Sequence, residues 1–147
     1  MPASPPITSL KSIQIVATAI MASTIMYTVI GATLVLLRVI PAGGLTPMPE
    51  ENRRLAGAAL CAAGLLAGAA SIMVRKRLDT RGPSGSEGQI ARFRNAIIAM
   101  AIAKSPSVLG VVAALLTGDL AVPFVLWGAA IGGCVLHFPT RATLGPR

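Results

Sequence analysis

Long uncharged runs alternate with short charged clusters along this chain. Ser12 to Leu37 carries no charge between Lys11 and Arg38, and Leu55 to Val74 lies between Arg54 and Arg75. Asn95 to Leu116 holds a single charge, Lys104, and Leu120 to Phe138 holds His137 next to its end. A helix needs about 20 apolar residues to cross a hydrocarbon core, and each run is near that length. The pattern predicts an all-α, polytopic membrane protein forming one domain of four transmembrane helices. They are expected at about 12–38, 55–74, 95–116 and 120–138, packed as two antiparallel hairpins. Ala17-Thr18-Ala19 looks like a signal-peptide cleavage site, but an h-region is about 7–15 residues and the apolar run continues well beyond it. The first helix is therefore expected to stay uncleaved.

The connections carry turn chemistry. Pro41-Ala42-Gly43-Gly44 and Thr46-Pro47-Met48-Pro49 break the first helix, Thr80 to Ser86 breaks the second, and Thr117-Gly118-Asp119 makes a tight turn into the last. The leading Pro2-Ala3-Ser4-Pro5-Pro6 segment is expected to be an extended tail.

Composition agrees with the pattern: of 147 residues 54% are hydrophobic and 12% charged, with mean hydropathy +0.73. Globular chains carry roughly 25% charged residues. The net charge of +8 invites a nucleic-acid reading, but aromatics are 3% of the chain and the stacking platforms of such binders are missing. Position explains the charge better. The segment 75–94, expected to be a basic cytoplasmic loop, holds Arg75, Lys76, Arg77, Arg81, Arg92 and Arg94, and the termini add Lys11, Arg141 and Arg147. Basic residues collect on the cytoplasmic side, so both termini are expected there, in a multi-pass protein of the cell (inner) membrane. Arg75, Lys76 and Arg77 are candidates for contact with anionic lipid headgroups, although a topology signal alone would account for them.

Helices in a bilayer associate through close backbone packing, which small residues allow. The second helix offers Gly57, Cys61, Gly64, Gly68 and Ser71 as a stripe, the fourth Gly128 and Gly132, and the third Ala99, Ala103 and Ser107. These stripes fit either packing within the four-helix bundle or contact with another subunit. A weak internal echo relates the first and third helices at an offset of 79, Val29-Ile30-Gly31 against Val108-Leu109-Gly110, as in parallel repeats.

Lys104 is the residue that is costly where it stands. It lies about 15 Å along the helix from Arg94 at ~1.5 Å per residue, near the middle of its span, where a lysine costs roughly 2.5–3.5 kcal/mol on insertion scales. Snorkelling to the interface and pairing with a carboxylate or with backbone carbonyls are the two ways to offset that cost. With Ser105 and the helix-kinking Pro106 it makes a candidate ion pathway or intersubunit pairing site.

Around Lys104, Ala101-Ile102-Ala103-Lys104-Ser105-Pro106-Ser107-Val108-Leu109-Gly110-Val111-Val112 resembles the carboxylate-bearing helix of the proteolipid c subunit of rotary ATP synthases. In that family an essential Glu or Asp precedes a short apolar stretch ending in Gly-Leu-Val or Gly-Val-Val, after a Gly-rich helix and a cytoplasmic polar loop. The resemblance covers residues 55–116 and implies a hairpin that pairs with other helices. Lys104 stands where the family has its ion-carrying carboxylate, which reverses the electrostatics of ion carriage, so the resemblance implies the scaffold without the rotor chemistry.

Other candidates are weaker. His137 is expected to be an interfacial cap or headgroup contact, since no second His completes a haem or metal site, and Cys61 and Cys134 have no metal-ligand spacing. Trp127 and Tyr27 are expected to pack, and Pro123 can kink its helix. No nucleophile with a base, no paired carboxylates and no phosphate-binding loop are evident, so no enzyme activity, metal or cofactor is expected. The sequence reads as a small accessory or scaffold subunit of a larger, bioenergetic membrane complex. Its partners would be the lipid bilayer and other membrane subunits or copies of itself, with no nucleic acid. A proteolipid-like oligomer or small ion or solute translocator using Lys104, Ser105 and Pro106 is the alternative.

Overall fold

A computed structural model of the protein describes residues 10–80 and 86–140. Arg81, Arg141, Arg147, the proline-rich start and most of the second connection lie outside these residues. Five helices follow in order: α1 Leu10–Leu36, α2 Glu50–Thr80, α3 Ser86–Ala103, α4 Ser105–Thr117 and α5 Ala121–His137. No strand occurs among the described residues. Three stretches are long and apolar enough to cross a membrane, Ser12–Leu36, Glu50–Thr80 and Ile90–Thr117, the last combining α3 and α4. The fourth expected span, α5, is equally apolar but has 17 residues, about 25 Å at ~1.5 Å per residue against a hydrocarbon core of about 30 Å.

Apart from Trp127, Met100, Leu126 and Ile40, the buried apolar residues are small, while many large apolar side chains point outward, the reverse of a water-soluble bundle. Ile15, Leu36, Leu66 and Val135 are at least 60% exposed, whereas Ala17, Ala96, Ala99, Ala103, Ala113, Ala114 and Ala130 are fully buried. Lipid solvates the leucines as well as a protein core would, so close backbone approach takes over as the organising force. The molecule is a membrane protein by this distribution and by the length of its helices.

The expected charged loop 75–94 is helical over 75–80 and 86–94. Arg, Lys and Glu are good helix formers, and nothing obliges a helix to stop where the apolar run stops. α2, with 31 residues, is consequently about 46 Å long and extends beyond the hydrocarbon thickness. The expected first hairpin is also different. α1 and α2 nowhere bring their Cα atoms within 8 Å of one another, while α2 packs on α3, α4 and α5, and α1 packs on α3, α4 and α5. The connection from Leu37 to Pro49 is long enough to carry the chain around the bundle instead of folding it back. α4 and α5, joined by the tight turn, do pack together.

That connection is fastened to the α4–α5 turn by glycines. Leu45 N donates to Leu115 O at 2.8 Å. Gly118 caps α4 in the left-handed conformation, φ 65°, its N–H bonded to Ala114 O, and a Cβ there would strike Pro41 O. Gly44, φ 86°, lies against Leu116 O with no room for a side chain. The positive φ and the backbone-to-backbone approach together require glycine at both positions.

The centre of the bundle is Trp127. Its Nε1 donates to Ser107 O at 3.2 Å, and its ring is covered by Gly31 of α1 and Gly110 of α4, at either of which a Cβ would run into the indole. These are the two glycines of the sequence echo.

Candidate functional site

Two polar features interrupt the apolar interior. The first is the helix break at Lys104. Pro106 has no N–H to give to the carbonyl four residues earlier and its ring crowds that turn, so α3 ends at Ala103 and α4 begins at Ser105. Ser107 repairs part of the break: its N–H (2.9 Å) and its Oγ (2.8 Å) both donate to Lys104 O. The half-buried Lys104 side chain turns to α1 and sets Nζ 5.0 Å from the centroid of the Tyr27 ring. A cation over an aromatic face is stabilised by about 0.5–1 kcal/mol when exposed and about 2 when desolvated, which offsets part of the insertion cost. The ring is thus a third answer beside snorkelling and carboxylate pairing, and Tyr27 gains a role that its position within an apolar run did not announce.

The three expected pathway residues do not converge. Lys104 faces Tyr27, Ser105 is exposed, and Pro106 is buried, with its Cβ facing Gly64 of α2. The small-residue stripes are divided in the same way. Gly57, Gly64 and Ser71 are buried on α2, seven residues apart and so on one face after two turns; Gly57 receives Val122 and Gly64 receives Leu126 of α5. Gly68, Gly128 and Gly132 have no atom within 4 Å of where a Cβ would stand. The Gly64/Gly68 pair is therefore not a close-packed GxxxG within this chain, and the Gly128/Gly132 pair faces away from it.

The second feature is a polar chain where α2, α3 and α5 meet, buried at Ser71, His137 and Asn95 and partly exposed at Arg75 and Asp79. Ser71, Arg75 and Asp79 stand at four-residue intervals on α2, hence on one face. Ser71 Oγ donates to Gly68 O at 2.6 Å and lies 3.0 Å from His137 Nε2. Arg75 Nη1 donates to Leu136 O and to His137 Nδ1, each at 3.2 Å. Arg75 Nε lies 3.6 Å from Asp79 Oδ2, and Asp79 Oδ1 accepts from Asn95 Nδ2 at 3.1 Å. His137 and Asn95 are each 2% exposed. Just beyond α5, Pro139 O accepts from Gln14 Nε2 at 3.4 Å, which ties α1 to the same end.

Partner chemistry assigns the protons. A guanidinium only donates, so Nδ1 of His137 is the acceptor and Nε2–H donates to Ser71, whose own hydrogen goes to Gly68 O. A general base for Ser71 would need the lone pair on Nε2, and Arg75 forces the opposite tautomer. In this arrangement Ser71, His137 and Arg75 join α2 to the end of α5, and Asp79 reaches the ring only through Arg75. Two expectations change here. His137 is buried among protein groups instead of meeting headgroups, because its helix ends beside α2. Arg75 turns inward, with a side chain 16% exposed, and leaves Lys76 and Arg77 as the exposed members of the basic cluster. The periodicity of Ser71, Arg75 and Asp79 was the signal available in the sequence.

Both cysteines are thiols. Cys134 packs with Ala17 and Met100, and its Sγ lies 3.8 Å from Thr24 Oγ1. An open cleft of about 820 Å³ between the α1–α2 connection and the α4–α5 turn is lined in part by Glu50, Arg53, Arg54 and Asp119, none of them buried. No group of three or more His, Cys, Asp or Glu that could hold a metal ion occurs among the described residues. Comparison with protein-family models, characterised proteins and solved structures gives no match for this chain.

Proposed function

We propose that the protein is a non-enzymatic accessory or scaffold subunit of a larger, bioenergetic membrane complex in the cell (inner) membrane, with both termini cytoplasmic. One observation carries the reading: the Gly128/Gly132 pair opens outward. The bundle uses Gly31, Gly64 and Gly110 for close contact inside, yet α5 keeps a second small-residue surface that no helix among the described residues occupies. Small-xxx-small faces let helix backbones approach in lipid, so this surface suits a helix of another subunit or of a second copy. The scaffold implied by the c-subunit resemblance belongs to the same proposal, and the concentration of basic residues near 75–94 supports the orientation. The tautomer at His137 supports the non-enzymatic part. The translocator alternative has less support, since Lys104, Ser105 and Pro106 point in three directions.

Site-specific photocrosslinking in native membranes tests this. A crosslinker at Gly128 is expected to capture protein, and one at Leu66, on the apolar surface of α2, to capture lipid only. Capture of lipid alone from both positions would reject the proposal.

A further inference from the structure

A groove on the outer surface carries a charge at its edge. Between α1 and α3, Ile13 and Val16 face Ile90, Ile97 and Ile98 across a space of about 360 Å³ that also includes Arg94. The α3 positions 90, 94, 97 and 98 lie on one helical face by their spacing of three and four. The walls are apolar, and Ile90, Ile98 and Val16 are substantially exposed. Arg94 is exposed and has no ion pair or hydrogen bond among the described residues. It stands one helical turn after Ile90, where the 28-residue Ile90–Thr117 span begins; about 42 Å of helix exceeds a hydrocarbon core of about 30 Å, so the end turns of this span suit the headgroup region.

We propose that this groove is a binding site for one anionic glycerophospholipid of the surrounding bilayer, an acyl chain lying along the isoleucines and the phosphate meeting Arg94. The volume, near the lower end of the range of about 300–1,000 Å³ for ligand sites, admits a single chain and not a whole lipid. A planar guanidinium matches phosphate oxygens in a bidentate fork, and Arg94 has no other partner on this face among the described residues. Basic pockets between membrane helices are known to select anionic headgroups in this manner. The site is separate from the exposed Lys76 and Arg77, and it does not depend on the assembly proposed above.

Native mass spectrometry of the full-length chain, released from micelles into which phosphatidylglycerol or phosphatidylcholine of identical chains has been titrated, tests the site. Wild type is expected to retain one phosphatidylglycerol in preference to phosphatidylcholine. Arg94→Gln is expected to weaken phosphatidylglycerol binding by about five-fold, the worth of one basic residue near an anionic surface, while Arg54→Gln, which removes an exposed arginine at the start of α2, leaves it unchanged. Ile97→Trp, which fills the groove, is expected to abolish retention of either lipid, with helicity by circular dichroism confirming the fold. Inorganic phosphate alone is expected not to displace the lipid. Equal retention of the two lipids, unchanged affinity in Arg94→Gln, displacement by phosphate alone, or a groove that retains no lipid because a second copy or another part of the chain fills it would each overturn the proposal.

Discussion

Nη1 of Arg75 lies 3.2 Å from Nδ1 of His137, and this contact makes the other ring nitrogen a donor to Ser71. In a membrane bundle with few polar groups, the pair decides how α2 is joined to the end of α5. Nitrogen-15 spectra of the imidazole are expected to show the Nε2–H tautomer, and Arg75→Met is expected to release that preference. The same substitution leaves Asp79 short of a partner and should destabilise the bundle by about 1–3 kcal/mol, read by reversible unfolding in mixed micelles.

At the helix break, a cost and a compensation are separable. Lys104→Met is expected to improve insertion of the α3–α4 segment by most of the roughly 2.5–3.5 kcal/mol that a central lysine costs, as scored by a glycosylation-based insertion assay. In the folded protein, a double-mutant cycle of Lys104→Met with Tyr27→Leu should give a coupling of about 0.5–2 kcal/mol. A coupling near zero would mean that the ring does not hold the ammonium.

Gly110→Ala and Gly31→Ala both push a methyl group into the Trp127 indole and should each cost about 1–3 kcal/mol, the usual range for overpacking. Gly68→Ala faces open space and is expected to stay within about 0.5 kcal/mol of wild type. Thermal unfolding of the three variants side by side checks the distinction between inward and outward glycines.

Much of the architecture was legible from charge spacing, because a bilayer allows few backbone solutions and long apolar runs announce themselves. The helical character and the turn at Gly118 follow from local chemistry alone. The separation of α1 from α2 does not, since the connection from Leu37 to Pro49 permits either a hairpin or a detour and only packing around Trp127 selects between them. The same holds for the extension of α2 to Thr80: hydropathy marks where lipid ends, not where a helix ends. At the candidate site, Lys104 stood out by its cost, but Tyr27 as its partner lies 77 positions away and no local rule connects them. His137 looked like an interfacial group because its four-residue-spaced partners belong to a different helix.

The proposed interface with another subunit or a second copy is the outward Gly128/Gly132 face of α5. The most direct test is the mass of the native particle extracted in a gentle detergent, measured by light scattering with the detergent contribution subtracted. A protein mass well above the 15.0 kDa of one chain is expected, reduced in a Gly128→Leu, Gly132→Leu variant that keeps its helicity. A wild-type particle holding one 15.0 kDa chain and no other protein would contradict it.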